Sequence, residues 1–122
     1  MRAVELILRA EHLAIFVAGV VGYVAMGGEA LWLIPALLAP DLSIVGYLVG
    51  PRVGAVTYNA AHNLVVSLGL LAIGWFAAIA FVALAGAALT AHVGMDRTLG
   101  YGLKLPSGFQ DTHLGRIGRR RC

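Results

Sequence analysis

Residues 53–95 contain no Asp, Glu, Lys or Arg. At ~1.5 Å per residue such a run would be roughly 64 Å long as one helix, about twice the ~30 Å hydrocarbon core of a bilayer. It must fold back once. Gly69, Gly74 and Trp75 put the expected turn at residues 69–75, where glycines permit a turn and an indole suits the interface. The expected spans are then residues 54–71 and 76–95. A second apolar stretch, residues 13–40, is broken only by Glu29 in Gly27-Gly28-Glu29, which reads as another turn. Its first limb, residues 4–26, is long enough to cross. The second limb, residues 30–40, would be only ~15 Å long as a helix and is interrupted by Pro35 and Pro40.

Composition agrees with this partition. Hydrophobic residues make up 60% of the 122, charged residues 12%, and mean hydropathy is +0.86. A disordered chain, a coiled coil and an ordinary soluble domain are excluded on these values. The single cysteine, Cys122, excludes a disulfide framework and a cysteine-based zinc site. The expected fold is all-α: a polytopic bundle of about four membrane helices, the second one short, in a single integral-membrane domain spanning residues 1–122 with a short basic tail from about residue 104. A cleaved leader does not explain an apolar core that resumes directly after Glu29.

Four crossings put both termini on one side of the membrane. That side then holds all nine basic residues: Arg2, Arg9, Arg52, Arg97, Lys104, Arg116, Arg119, Arg120 and Arg121. The positive-inside rule makes it the cytoplasmic side. Gly46, Gly50 and Gly54 favour close helix approach, and Gly50-Pro51-Arg52 reads as a tight cytoplasmic turn-back.

Ionisable groups inside hydrocarbon cost at least ~2.5–3.5 kcal/mol at a helix centre, so they carry the functional information. Four groups stand out: Glu11-His12, Asp41, Asn59 with His62 and Asn63, and His92 with Asp96. Asn59, His62 and Asn63 share one helical face, and His92 lies one turn before Asp96. His12 and His62 each fall ~15 Å into their helices, and Asp41 ends the short second limb near the same depth. Each group has a plainer structural explanation, such as interhelical hydrogen bonding, an Asp96–Arg97 interfacial pair, a Glu11–Arg9 pair, or capping by Asp41. Their agreement in depth favours a shared site in the cytoplasmic half of the bundle.

Imidazole and carboxylate ligands suit Zn²⁺, Mn²⁺ or Fe²⁺, which activate water when a coordination position stays open. The expected metal ligands are His12, Asp41, His62, His92 and Asp96. Glu11 is then the expected general base, with Asn59 or Asn63 orienting a ligand or a substrate oxygen. Asp111 and His113 either cap the cytoplasmic mouth or stay solvated. Nothing indicates an organic cofactor. The same side chains also suit a proton relay or cation binding without chemistry.

Several segments taken in order, Glu11-His12-Leu13, Pro40-Asp41-Leu42-Ser43, Tyr58-Asn59-Ala60-Ala61-His62 and Ala91-His92-Val93-Gly94-Met95-Asp96-Arg97, with Leu99 to Lys104 and Phe109 to Gly118, resemble a bacterial integral-membrane family, domain of unknown function 4260. The resemblance implies membrane helices and supplies no reaction. More loosely, His12, Pro40-Asp41, His62 and His92-x-x-x-Asp96 followed by Gly100, Gly102 and Pro106 are similar in order to inner-membrane proteins described as metal-dependent hydrolases. Ser43 replaces that group's second acid, and Tyr58 to Asn63 replace its His-Arg-Gly and Thr-His elements, which weakens a two-metal site more than a one-metal site.

Two functions therefore stand side by side. One is a metal-dependent hydrolase acting on a lipid-like or membrane-delivered substrate. The other is a non-enzymatic membrane protein, a proton or cation conduit or a helper subunit. The expected location is the bacterial inner membrane, multi-pass, with both termini cytoplasmic. Arg116 to Arg121 suit anionic lipid at about 1 kcal/mol per basic residue. Nucleic acid is not an expected partner, because no stacking aromatics interleave the basic patch. A homo-oligomer is compatible with the sequence but not predicted by it.

Overall fold

A computed structural model describes residues 2–106 and 108–116. The first rod is α1, Ala3–Ala25. Gly27 closes it in the left-handed region (φ 88°), which a residue with a Cβ enters only at a cost. There Gly27 N–H donates to Val24 O (3.0 Å) and Gly28 N–H to Tyr23 O (2.9 Å), the paired bonds of a Schellman turn. The expected turn at Gly27-Gly28-Glu29 is present.

The second rod differs from its expected form. α2, Ala30–Leu38, keeps Pro35 inside it and runs directly into a 3-10 segment, Ala39–Leu48. A 3-10 helix rises ~2.0 Å per residue, so the two pieces together extend roughly 33 Å and reach across a bilayer core. Pro40 therefore does not end the limb. It sits in the first turn of the 3-10 segment, where its missing N–H does least harm.

The chain turns back at Gly50, with Pro51 opening α3, Pro51–Ala61, as the sequence led one to expect. The 3-10 segment and α3 press together at Gly46 and Gly54, where an added Cβ would lie 2.1 Å from Thr57 and 2.2 Å from Tyr47. Thr57 donates its hydroxyl to Ser43 O across this contact (2.8 Å). α3 stops at Ala61, and α4, Leu64–Phe76, restarts after a two-residue break.

The last turn lies at residues 77–79, beyond the expected residues 69–75. It has the same Schellman pattern, with Ile79 N–H donating to Gly74 O (2.9 Å), but Ala78 occupies the left-handed position (φ 59°). Gly74 serves packing instead: a Cβ there would lie 2.1 Å from Ala83 N. The final rod, α5, is Ala80–Leu99. After it, β1 (Lys104–Leu105), β2 (Gly108–Thr112) and β3 (Gly115–Arg116) form an antiparallel sheet in that order. The segment expected to be a plain basic tail is thus a small sheet packed against α3 as far as it is described. Arg119, Arg120 and Arg121 lie outside the described residues, as does the side chain of Arg116.

Among the described residues two stretches, not four, are long and apolar enough to cross a membrane: Ala30–Leu48 and Pro51–Phe76. The outer rods are diluted by polar groups, Glu5, Arg9, Glu11 and His12 early in α1 and His92, Asp96 and Arg97 late in α5. Leu48, Val65 and Phe76 are 85–86% exposed, as large apolar side chains are where acyl chains cover them. The chain is a helical membrane protein.

α5 lies between α1 and α4, and small residues let it do so. An added Cβ at Gly19 of α1 would lie 2.6 Å from Ala91 N, and at Gly94 of α5 2.6 Å from Phe16 N. On the other side, Gly86 would meet Leu71 N at 2.3 Å. Where lipid replaces water, such small-residue contacts are a main source of helix association. Gly94→Leu should therefore lower stability in detergent by about 1–3 kcal/mol, the usual range for overpacking, and so lower the thermal midpoint. Gly22→Leu, at a position with no atom within 4 Å of the added Cβ, should leave that midpoint in place. Ala78→Gly should raise it by relieving about 1–2 kcal/mol of left-handed strain.

Candidate metal centre

Three different backbone contexts deliver four side chains to one point. Asp41 comes from the first turn of the 3-10 segment, His62 from the residue that ends α3, and His92 with Asp96 from successive turns of α5. One ligand atom from each lies within 4.8 Å of all the others, a grouping found once among the described residues. His92 Nε2 is 3.3 Å from Asp41 Oδ1 and 3.2 Å from Asp96 Oδ2. His62 Nε2 is 3.3 Å from Asp41 Oδ1 and 3.8 Å from Asp96 Oδ2. Both imidazoles are fully buried, whereas the Asp41 side chain is 47% exposed and forms the open side.

The histidine orientation is fixed from behind. His62 Nδ1 lies 2.8 Å from Tyr58 O, and His92 Nδ1 binds Leu37 O. A carbonyl only accepts, so each Nδ1 carries a proton, and each Nε2 faces the carboxylates as a lone pair when its ring is neutral and as a second N–H when it is charged. Lone pair against carboxylate oxygen is repulsive unless a cation or a second proton lies between them. His92 Nε2 is buried with no hydrogen-bond partner. Four ligands at ~2.0–2.2 Å around a tetrahedral ion lie roughly 3.3–3.6 Å apart, close to most of the separations seen here. The backbone carbonyls behind the rings are the usual outer partners of metal-bound histidine. The residues fit a divalent cation.

Further groups surround this set. Tyr58 stacks on His62 (ring centroids 3.7 Å apart, planes within 7°), and its hydroxyl donates to Asp96 Oδ2 at 3.4 Å. Arg97 is buried: one guanidinium nitrogen donates to His62 O (3.0 Å) and the other to Tyr101 O (3.1 Å). The first bond satisfies the carbonyl at the break after α3. Lys104 Nζ lies 4.8 Å from the Tyr58 ring centroid. Burial pushes the Lys104 ammonium below its ordinary pKa, and Asp96 opposes that shift. The sequence pointed to Arg97 as a topology residue or an interfacial partner of Asp96, to Lys104 for topology alone, and not to Tyr58, whose position one turn before His62 was the available signal.

Other expected site residues lie elsewhere. His12 does not join the group: its Nδ1 binds Leu8 O one turn back (2.7 Å), and its own carbonyl backs onto Gly94. The backbones of α1 and α5 meet there so closely that His12 contributes main chain, not imidazole. Glu11 is exposed on α1 and also stands apart. Asn59 donates its amide to Lys104 O (2.8 Å) and accepts from Lys104 N–H (2.6 Å), so it clamps β1 onto α3. Asn63 caps α4, accepting from Val66 N–H (2.9 Å) and donating to Asn59 O (2.7 Å). His113 is exposed at the β2–β3 turn, where its Nδ1 accepts from Leu103 N–H (2.8 Å). Its pKa is lowered by partial burial and by the nearby charge of Arg97. The Asp111 side chain lies outside the described residues.

A match to one family covers residues 5–117. The chain belongs to the family described as a domain of unknown function, DUF4260. No curated protein and no solved structure matches it. Within this DUF4260 chain, Asn59→Ala should unfasten β1 without touching the four converging groups. Two backbone groups of Lys104 would lose their partners, at about 1–3 kcal/mol for each one left buried and unpaired. The expected result is a lower thermal midpoint with an unchanged content of bound divalent metal, read by elemental analysis.

Proposed function

We propose that this DUF4260 protein is a membrane-embedded, metal-dependent hydrolase, with Asp41, His62, His92 and Asp96 holding one divalent cation in the cytoplasmic half of the bundle. The observation that carries this is the pair of Nδ1 contacts to Tyr58 O and Leu37 O, which turn both Nε2 atoms onto two carboxylates at 3.2–3.8 Å. Zn²⁺, Mn²⁺ and Fe²⁺ are the ions that this donor set suits. With four crossings, all nine basic residues lie on the side holding both termini, which favours that side as cytoplasmic.

A bound cation would polarise an ester oxygen and favour ionised water. The protein does the rest. Asp41 Oδ1 makes both histidine contacts, leaving Oδ2 on the half-exposed side to take a proton. Asp41 therefore replaces Glu11 as the candidate base. A water oxygen bonds to the electrophilic carbon or phosphorus, and its proton passes to Asp41. That proton then goes to the departing alkoxide as the ester bond breaks. Tyr58 holds Asp96 by its hydroxyl and His62 by stacking, so both keep their places during the step.

Elemental analysis of the detergent-purified full chain tests the reading. About one Zn, Mn or Fe per chain is expected, with His62→Ala and His92→Ala each retaining less than about a tenth of it, since removing a direct ligand costs more than the 10–100-fold typical of outer partners. Chelation should lower the thermal midpoint of the wild type and not that of either variant. A wild-type chain without stoichiometric metal, and indifferent to chelator, would leave the four groups as a hydrogen-bonded packing device.

A further inference from the structure

A cavity of about 760 Å³, within the range of small-molecule sites, is walled by α2, α4 and α5 and reaches the Gly27–Glu29 turn. Along α5 its lining runs from Phe81 to Leu89, eight residues and ~12 Å of helix. Polar side-chain atoms enter the lining only from Tyr23, Glu29 and Trp32, all near the turn. The rest of the lining is apolar. Glu29 is its one charged residue.

Tyr23 fixes the turn end. Its hydroxyl donates to Glu29 O (2.9 Å), and its carbonyl accepts from Gly28 N–H (2.9 Å). Its ring lies so close beneath Gly28 that an added Cβ would be 2.4 Å from Cε1. The Glu29 main chain is thus held, while its side chain has no local task. Glu29 is the N-cap residue of α2, where the helix dipole favours an acid, yet its carboxylate makes no capping hydrogen bond. No ion pair reaches it among the described residues. The segments that supply the lining, within residues 10–51 and 53–96, contain no Lys or Arg. Trp32, one turn further along α2, and Phe81, at the start of α5, line the same cavity with largely exposed rings. A carboxylate without a cationic partner, beside aromatic faces and at the end of an apolar space, selects a positive charge carried on an apolar body.

We propose that the cavity binds a free hydrophobic organic cation, a quaternary ammonium or phosphonium, with its charge at Glu29, Trp32 and Phe81 and its apolar body along α5 toward Leu89. The site is separate from the four converging groups, none of which lines the cavity. A quaternary centre suits it because a primary ammonium brings three N–H donors, and the lining offers them one carboxylate. An anionic amphiphile would meet Glu29 as a like charge. A phosphocholine lipid would bring a phosphate for which the lining holds no basic residue. An inorganic cation would leave the apolar length unfilled.

The test uses the full chain in nanodiscs of a neutral digalactosyl lipid, with radiolabelled tetraphenylphosphonium as the probe and binding to empty nanodiscs subtracted. Saturable, stoichiometric binding is expected. Radiolabelled tetraphenylborate, an anion of the same shape, should show none in a parallel measurement. Glu29→Gln keeps the side chain's shape, removes its charge and should weaken binding of the cation at least about ten-fold. Trp32→Leu keeps an apolar side chain, removes the ring and should weaken it about five-fold. Both variants should keep the wild-type thermal midpoint and metal content; should one fail to insert, the other decides. Saturable binding of both ions, or binding of the cation indifferent to these substitutions, would overturn the proposal. Competition by phosphatidylcholine mixed into the nanodiscs would give the site to a zwitterionic lipid head and overturn it equally.

Discussion

The closeness of α5 to both its neighbours is the constraint on which the rest of this structure depends. Gly19 and Gly94 bring the backbones of α1 and α5 together, and Gly74 and Gly86 do the same for α4 and α5. Contacts of this kind replace the hydrophobic drive that lipid removes. They also make α5 a fixed rod rather than a sliding one, because every close approach is to main chain and has no side-chain slack. His92, Asp96 and Arg97 ride on that rod. The other two ligands reach it from irregular backbone, a 3-10 turn for Asp41 and a helix break for His62. Irregular backbone at membrane depth persists only where its polar groups are answered by the protein. Here Arg97 answers His62 O and Asn63 answers Val66 N–H, so the break that aims His62 is itself held by hydrogen bonds.

Much of this was legible. The uncharged run of residues 53–95 required a fold-back, Gly27-Gly28-Glu29 and Gly50-Pro51 marked turns, and depth with helical spacing placed Asp41, His62, His92 and Asp96 in the same half of the bundle, His92 and Asp96 nearer its edge. What was not legible has physical causes. Gly69 and Gly74 looked like turn residues, but a glycine serves close packing equally well, and the left-handed position went to Ala78, which carries no sequence signal. The length of the second limb was underestimated because a 3-10 helix rises further per residue than an α-helix and accepts Pro40 in its first turn. His12 matched the others in depth, yet depth along a helix does not fix its rotation. Asn59 shared a face with His62 and was diverted by Lys104, forty-five residues away, a contact that no local pattern encodes.

Charge accounting connects the packing to the chemistry. Asp96, buried, and Asp41, half-exposed beside it, set two carboxylates within the helical bundle, where a buried charge is costly alone. Arg97 brings a positive charge, yet its described hydrogen bonds go to main-chain carbonyls and not to a carboxylate in the bidentate pair that would neutralise one most strongly. Those carbonyls belong to His62 and Tyr101. The aspartates turn toward two imidazoles whose Nδ1 protons are committed to Tyr58 O and Leu37 O. A fold selected only to neutralise its buried charges would have joined the pairs directly. Two carboxylates and two Nε2 atoms, with their N–O separations at 3.2–3.8 Å, are the arrangement that a divalent cation would neutralise.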